Sequence, residues 1–163
     1  LEAHIRRDNQ LIDRRWQFGE IYPVEVGCGA SDDGLHATPI GGCTLLHLCG
    51  EFGEVEIANY LMEKGANPNA PADINAGFGG HTPIYNTVVT LALRQARDVA
   101  TLLLTAGADL EVEANIRKQL RYHADESVHE YLRVSPIAWG ESFHDKSMVS
   151  KEVMSLLQET QRS

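Results

Sequence analysis

Apolar residues along this chain come in short bursts with helical spacing, and the bursts repeat in kind. Ile57, Leu61 and Met62 form one; Val99, Leu102, Leu103 and Leu104 a second; Val153, Leu156 and Leu157 a third. Apolar positions three to five apart fall on one face of a helix. Each burst follows a shorter one that opens on a hydroxyl residue: Thr44-Leu45-Leu46, Thr82-Pro83-Ile84 and Ser135-Pro136-Ile137. The pattern predicts three antiparallel helix pairs, 45–51 with 55–64, 83–93 with 96–106, and 136–142 with 150–159. The hydroxyl ahead of the helix serves as its cap, and proline fits the first helical position, where no N–H is needed. Gly65 and Gly107 stand where a left-handed residue stops the second helix. One helix pair cannot bury Leu61, Met62, Leu102, Leu103, Leu104, Leu156 and Leu157, so the pairs must stack.

Two segments carry the same motif. Gly42-Cys43-Thr44-Leu45-Leu46-His47 leads to Gly65-Ala66-Asn67-Pro68-Asn69, and Gly80-His81-Thr82-Pro83-Ile84-Tyr85 leads to Gly107-Ala108-Asp109-Leu110. A degenerate third copy runs from Ser135, with Ala138 at the histidine position. The motif resembles the ankyrin repeat: a glycine, then T-P-L-H, two helices, and a closing G-A-D. The resemblance implies an all-α fold, an ankyrin-repeat solenoid of stacked antiparallel helix pairs with long finger loops. Residues 1–163 would form a single domain: 1–16 a partial repeat or N-terminal capping helix, 17–41 an inserted loop, 42–70 and 80–110 repeats, 111–134 a second inserted loop, and 135–159 a degenerate C-terminal repeat. The first segment admits two readings, a start inside an earlier repeat or an ordinary amphipathic cap from Ile5 to Trp16.

Spacing departs from the family's period of roughly 33 residues. Thr44 to Thr82 is 38 residues and Thr82 to Ser135 is 53; Thr44 to Gly65 is 21, whereas Thr82 to Gly107 is 25. The hairpin inside the second copy is therefore four residues longer, near Ala92–Gln95, and the third copy is lengthened around Ser142–Met148. The larger growth lies between repeats, in the fingers. Insertions in repeat arrays fall on one face, often the binding face. In the first finger, Ile21-Tyr22-Pro23-Val24-Glu25-Val26 suits a short β-hairpin strand. In the last, Ile116 and Leu120, four apart, suit a helical turn or two over Asn115–Tyr122, with Arg117, Lys118 and Arg121 as a basic spot. Asp73-Ile74-Asn75-Ala76-Gly77-Phe78-Gly79-Gly80 is glycine-rich, but lacks the spacing and the lysine of a phosphate-binding loop.

Charge and composition narrow the function. The formal net charge is −9, and residues 41–112 hold eight acidic and three basic side chains. That disfavours nucleic acid, whose phosphates draw clustered Lys and Arg. No apolar run approaches the ~18 residues of a membrane helix. The residues given show no leader peptide, and a start inside a longer chain would hide one. Three cysteines make a poor disulfide framework and point to a reducing, cytoplasmic setting. Cys28 reads as a surface thiol, Cys43 as a turn residue and Cys49 as core. Cys43, His47 and Cys49 have metal-like spacing, but His47 is the motif's structural histidine, so no metal is expected there. His36, His81, His123 and His129 lie on the finger side, near Asp32, Asp33, Asp125 and Glu126. They read as independent loop histidines, and no motif for catalysis accompanies them.

The expectation is a non-enzymatic, monomeric protein-binding module without cofactor, taking an unidentified protein on its concave finger and inner-helix face. Carried over from the resemblance, that face comprises Glu51, Phe52, Phe78, His81, Val89, Thr90, Arg133, Ser142 and Phe143, while Trp139 is core. The alternatives are an inhibitor or immunity-type protein masking a basic toxin or enzyme, and, less favoured, a metal-dependent enzyme on the fingers.

Overall fold

The computed structural model describes residues 2–21, 41–118 and 128–163. Helices α3 (Leu45–Phe52) and α4 (Val55–Glu63) form the first pair. Helices α5 (Tyr85–Val88) and α6 (Ala96–Thr105) form the second, and α7 (Pro136–Ser142) and α8 (Lys151–Arg162) the third. Short helices α1 (Glu2–Arg7) and α2 (Phe18–Ile21) precede them. The pairs lie side by side: α5 packs on α3 and α7, and α6 on α4 and α8. Their facing residues make one core, with Leu46, Leu61, Ile84, Val99, Leu103, Trp139, Phe143, Val153 and Leu157 all fully buried. Gly65 and Gly107 end the second helices with φ of 88° and 92°, the left-handed backbone that glycine adopts without a Cβ penalty.

The first inner helix begins as expected: the Thr44 N–H donates to His47 Nδ1 at 3.1 Å, the reach-back half of a capping box. Ser135 Oγ accepts from the Ala138 amide and Ser150 Oγ from the Val153 amide, capping α7 and α8. The second pair differs from the prediction. Residues 83–93 do not form one helix; α5 has a single turn, and Val89 is extended. Val88, Val89 and Thr90 are β-branched and favour the extended backbone. Thr90 Oγ1 bonds the carbonyls of Gly50 and Glu51 (3.1 and 2.9 Å), and Val89 pairs with Val149. Nor does Thr82 cap its helix: its hydroxyl is buried without a hydrogen-bond partner among the described residues.

The all-α expectation also needs correction. Strands β1 (Ala114–Lys118) and β2 (His129–Val134) form an antiparallel pair inside the third finger, with Ile116 opposite Tyr131. Of the helical turns expected over Asn115–Tyr122, residues 115–118 are thus strand, and 119–122 lie outside the described residues. Of the strand assigned to Ile21–Val26 in the first finger, Ile21 instead ends α2, and 22–26 lie outside the described residues.

The three fingers share one design. Trp16 pairs with Cys43 through Trp16 N–H to Cys43 O and Gly42 N–H to Trp16 O, both 2.8 Å. Ala72 and His81 repeat that exchange, and Ala114 sits opposite Val134. Side-chain clamps recur as well. Asp13 Oδ1 accepts from the Asn67 amide (3.0 Å) as Asn69 Oδ1 accepts from the Asp109 amide (2.8 Å). Backbone bonds tie finger to finger, Asp73 N–H to Gly42 O and Gly79 N–H to Asn115 O. Among the described residues, the bases of the fingers are thus joined into one edge.

Candidate functional site

The chemistry-bearing residues gather in two places, a buried polar layer under the fingers and the exposed edge above it. In the buried layer, the residue at the motif's histidine position links each repeat to the next. His47 Nδ1 accepts the Thr44 amide proton, which fixes the tautomer; Nε2–H then donates to the His81 carbonyl at 2.9 Å. Tyr85 holds the same position one repeat on. Its hydroxyl reaches the Val134 carbonyl at 2.7 Å and also approaches the Val112 carbonyl. His81 and Val134 each directly precede the hydroxyl residue that opens the next repeat. Burial pushes the His47 imidazole down to about 3, reinforced by His81 and only partly offset by the bond to the His81 carbonyl. His47 is therefore a neutral donor, not a base.

Cys43, His47 and His81 bring potential ligand atoms within 4.8 Å of one another, all buried, and Cys49 does not join them. Cys43 Sγ lies 3.5 Å from His81 Nε2. This donor set fits a metal poorly. Both His47 nitrogens are committed to the repeat-linking bonds, and burial, with Glu51 and Asp73 nearby, raises the Cys43 thiol well above its ordinary range, disfavouring the thiolate a metal needs. The trio does structural work.

Five of the nine residues placed on the concave face are buried, which corrects the sequence expectation. Phe143 is fully enclosed, packed against Trp139 and Tyr131 with ring centroids 4.9 and 5.8 Å away. His81 sits edge-on to His47 and Tyr85. Val89 and Thr90 are buried by the pairing with 148–150. Glu51 is buried beside Asn86, whose amide donates to Oε2 at 3.3 Å. Burial raises the Glu51 carboxyl, while the buried Lys118 on β1 and the Asn86 bond pull it back. For Glu51 and Phe143 the cause of the misplacement is the third finger. Its strand β2 packs on α7, and Lys118 at the end of β1 comes to Glu51, so the inner helices are covered by the chain's own insertion.

The other four remain accessible. Phe52, Arg133 and Ser142 are exposed. Phe78 is half-buried, with the Arg117 guanidinium 4.2 Å above its ring. Arg133 reaches Glu113 at 3.1 Å. Of the finger histidines, His36 and His123 lie outside the described residues, and His129 stacks on His144 at 3.6 Å. The Tyr131 hydroxyl is hydrogen-bonded with His144 Nδ1 and accepts from the His144 amide. Sequence reasoning missed two edge residues, Ile74 and Leu132, exposed by 70 % and 62 %. For Ile74 the signal was available, a single aliphatic residue in a loop otherwise rich in polar and glycine residues; for Leu132 it was hidden, because strand β2 was not foreseen.

Stacked helix pairs linked by fingers define a helical repeat protein. The ankyrin repeat family model matches residues 41–73, the first finger base through the closing loop of the first pair. The match covers one repeat and supports reading the chain as an ankyrin-repeat protein. Ankyrin repeats are in general protein–protein interaction modules and typically non-enzymatic. No helix among the described residues is long and apolar enough to cross a membrane.

Proposed function

We propose that this protein is a non-catalytic adaptor that grips a protein partner along its finger edge. One observation carries the reading. The joined fingers present Ile74 and Leu132 to solvent, flanked by the Phe78–Arg117 stack and by Arg133. Exposed aliphatic side chains give nothing to folding, and interface energy concentrates in a few aromatic, arginine and apolar anchors. The contact set of the sequence reading narrows accordingly to Phe78 and Arg133, with Ile74 and Leu132 added; Phe52 and Ser142 are exposed but close the far ends of α3 and α7, away from the fingers. Glu51, His81, Val89, Thr90 and Phe143 are buried and drop out of the set.

The test is capture of a partner from the source cells by the native protein and by Ile74→Asp, Leu132→Asp and Arg133→Glu variants. Each should keep its melting temperature and lose capture. Normal capture by all three, with loss on Glu56→Lys and Glu63→Lys of α4, would place binding on the outer helices instead. Capture that weakens steeply with salt would identify a basic partner and favour the inhibitor-type alternative.

A further inference from the structure

The edge opposite the fingers carries a cleft whose charge is reversed from that of the chain. It has a volume of about 620 Å³ and lies between the loop after α5 and the loop before α8. Leu93 and Arg94 form one wall; Lys146, Val149, Lys151 and Glu152 form the other. Three cations face a single carboxylate, on a protein of net charge −9. Leu93 in its wall is exposed by 41 %, and Leu91, two residues earlier on the same loop and just outside the lining, by 68 %.

Its walls are held in place. The Thr90 amide donates to the Met148 carbonyl at 3.1 Å, and the Ser150 amide to the Val88 carbonyl at 2.9 Å, so the two loops are stitched at their bases. Lys146 Nζ donates to the carbonyls of Gly140 and Glu141, fixing that charge at the end of α7. Arg94 and Lys151 are exposed and make no ion pair with a described residue. The twelve-residue helix α8 starts at Lys151 and adds the positive end of its dipole. Both walls come from the helix-hairpin lengthenings of the second and third copies. Those added residues could have been polar at no cost to folding, yet they include Leu93, and they bring the cations Arg94 and Lys146 to the cleft.

We propose that this cleft binds an acidic peptide segment with apolar anchors, a second docking surface independent of the finger edge. Leu91 and Leu93 receive the apolar side chains, and Arg94, Lys146 and Lys151 receive the carboxylates. The charge pattern selects against basic segments, because a like-charge pairing here is repulsive.

The experiment uses the full chain, labelled with ¹⁵N, and a fluorescein-labelled synthetic peptide of alternating Glu-Leu and Asp-Phe steps. Two twins accompany it, one with Lys in place of every acid and one with Ser in place of every apolar residue. The acidic–apolar peptide should bind, shifting amide signals of 91–95 and 146–152, and the twins should bind at least about tenfold more weakly. Arg94→Glu with Lys151→Glu, the milder Arg94→Gln with Lys151→Gln, and Leu93→Ser should each weaken binding while the melting temperature holds. Equal binding of either twin would overturn the proposal. So would shifts confined to the fingers, undiminished binding by the charge variants, or binding to phosphatidylserine vesicles with none to the peptide.

Discussion

At the residue scale the informative position is the one shared by His47 and Tyr85. Aligning the two copies is enough to see that Tyr85 replaces a histidine. That its hydroxyl performs the same task could not be seen, because the acceptor, Val134, lies beyond the third finger. Tyr85→Phe keeps the ring and strands that carbonyl bond, so it should cost about 1–3 kcal/mol by urea denaturation. A change within the scatter of an exposed substitution would deny the bridge. His47 makes a second prediction, with a definite sign. Its folded value is about 3 and its unfolded value about 6.5. Between these the unfolded chain binds more protons, so stability is complete above pH 6.5 and falls as pH drops, by about 1.4 kcal/mol per pH unit for this group. Glu51 acts oppositely: its carboxyl is raised in the folded state, so acidification favours folding through it. Urea midpoints should therefore decline from pH 7 to pH 5, and decline more steeply on acidification in Glu51→Gln. His47 ring resonances should stay unshifted over the same range; titration near pH 6 would show that the buried bond is absent.

At the scale of elements, the helices were legible wherever a motif residue sets both start and stop. The pair 45–51 and 55–64 is observed at Leu45–Phe52 and Val55–Glu63, and 136–142 as Pro136–Ser142. The failures have local causes. Helix α5 stops early because Val88, Val89 and Thr90 find partners in 148–150, beyond α6, β1, β2 and α7 in sequence. The Ile116–Leu120 spacing suggests a helix, but Ala114, Ile116 and Lys118 are buried alternately, a period of two that only β2 makes visible. The candidate surface was lost for the same reason: nothing in the order of residues says that the third finger folds back over the inner helices. Gly140 gives a test of how closely those helices approach. A Cβ there would lie 2.3 Å from Met154 Sδ and 2.7 Å from Val88 Cγ1, at the meeting of α5, α7 and α8. Alanine is the better helix former by about 1 kcal/mol, yet overpacking of this kind costs about 1–3 kcal/mol. Gly140→Ala should be destabilising despite its propensity, and Met154→Ala added to it should recover part of the loss. A stabilised Gly140→Ala would mean that the three helices stand further apart.

Across the whole molecule, the links run between neighbouring repeats, and the middle repeat receives them from both sides. Helix α6 lies between α4 and α8. Asn69 clamps the loop after α6 through Gly107 O and the Asp109 amide, and Tyr85 clamps the third repeat. Stability in such an array is a sum of unit and nearest-neighbour interface terms, so damage at the centre spreads and damage at an end stays local. Leu103 is wholly buried on α6. Leu103→Ala should cost about 2–5 kcal/mol, well beyond the effect of the exposed Glu159→Gln on α8. Hydrogen exchange carries the sharper reading. With Leu103 truncated, amides of both α4 and α8 should lose protection together with α6, since each loses the neighbour against which it is packed. Protection lost in α6 alone, with α4 and α8 exchanging as before, would show three units that fold independently. The rigid finger edge, and the joined surface offered to a partner, would then no longer follow from the stacking.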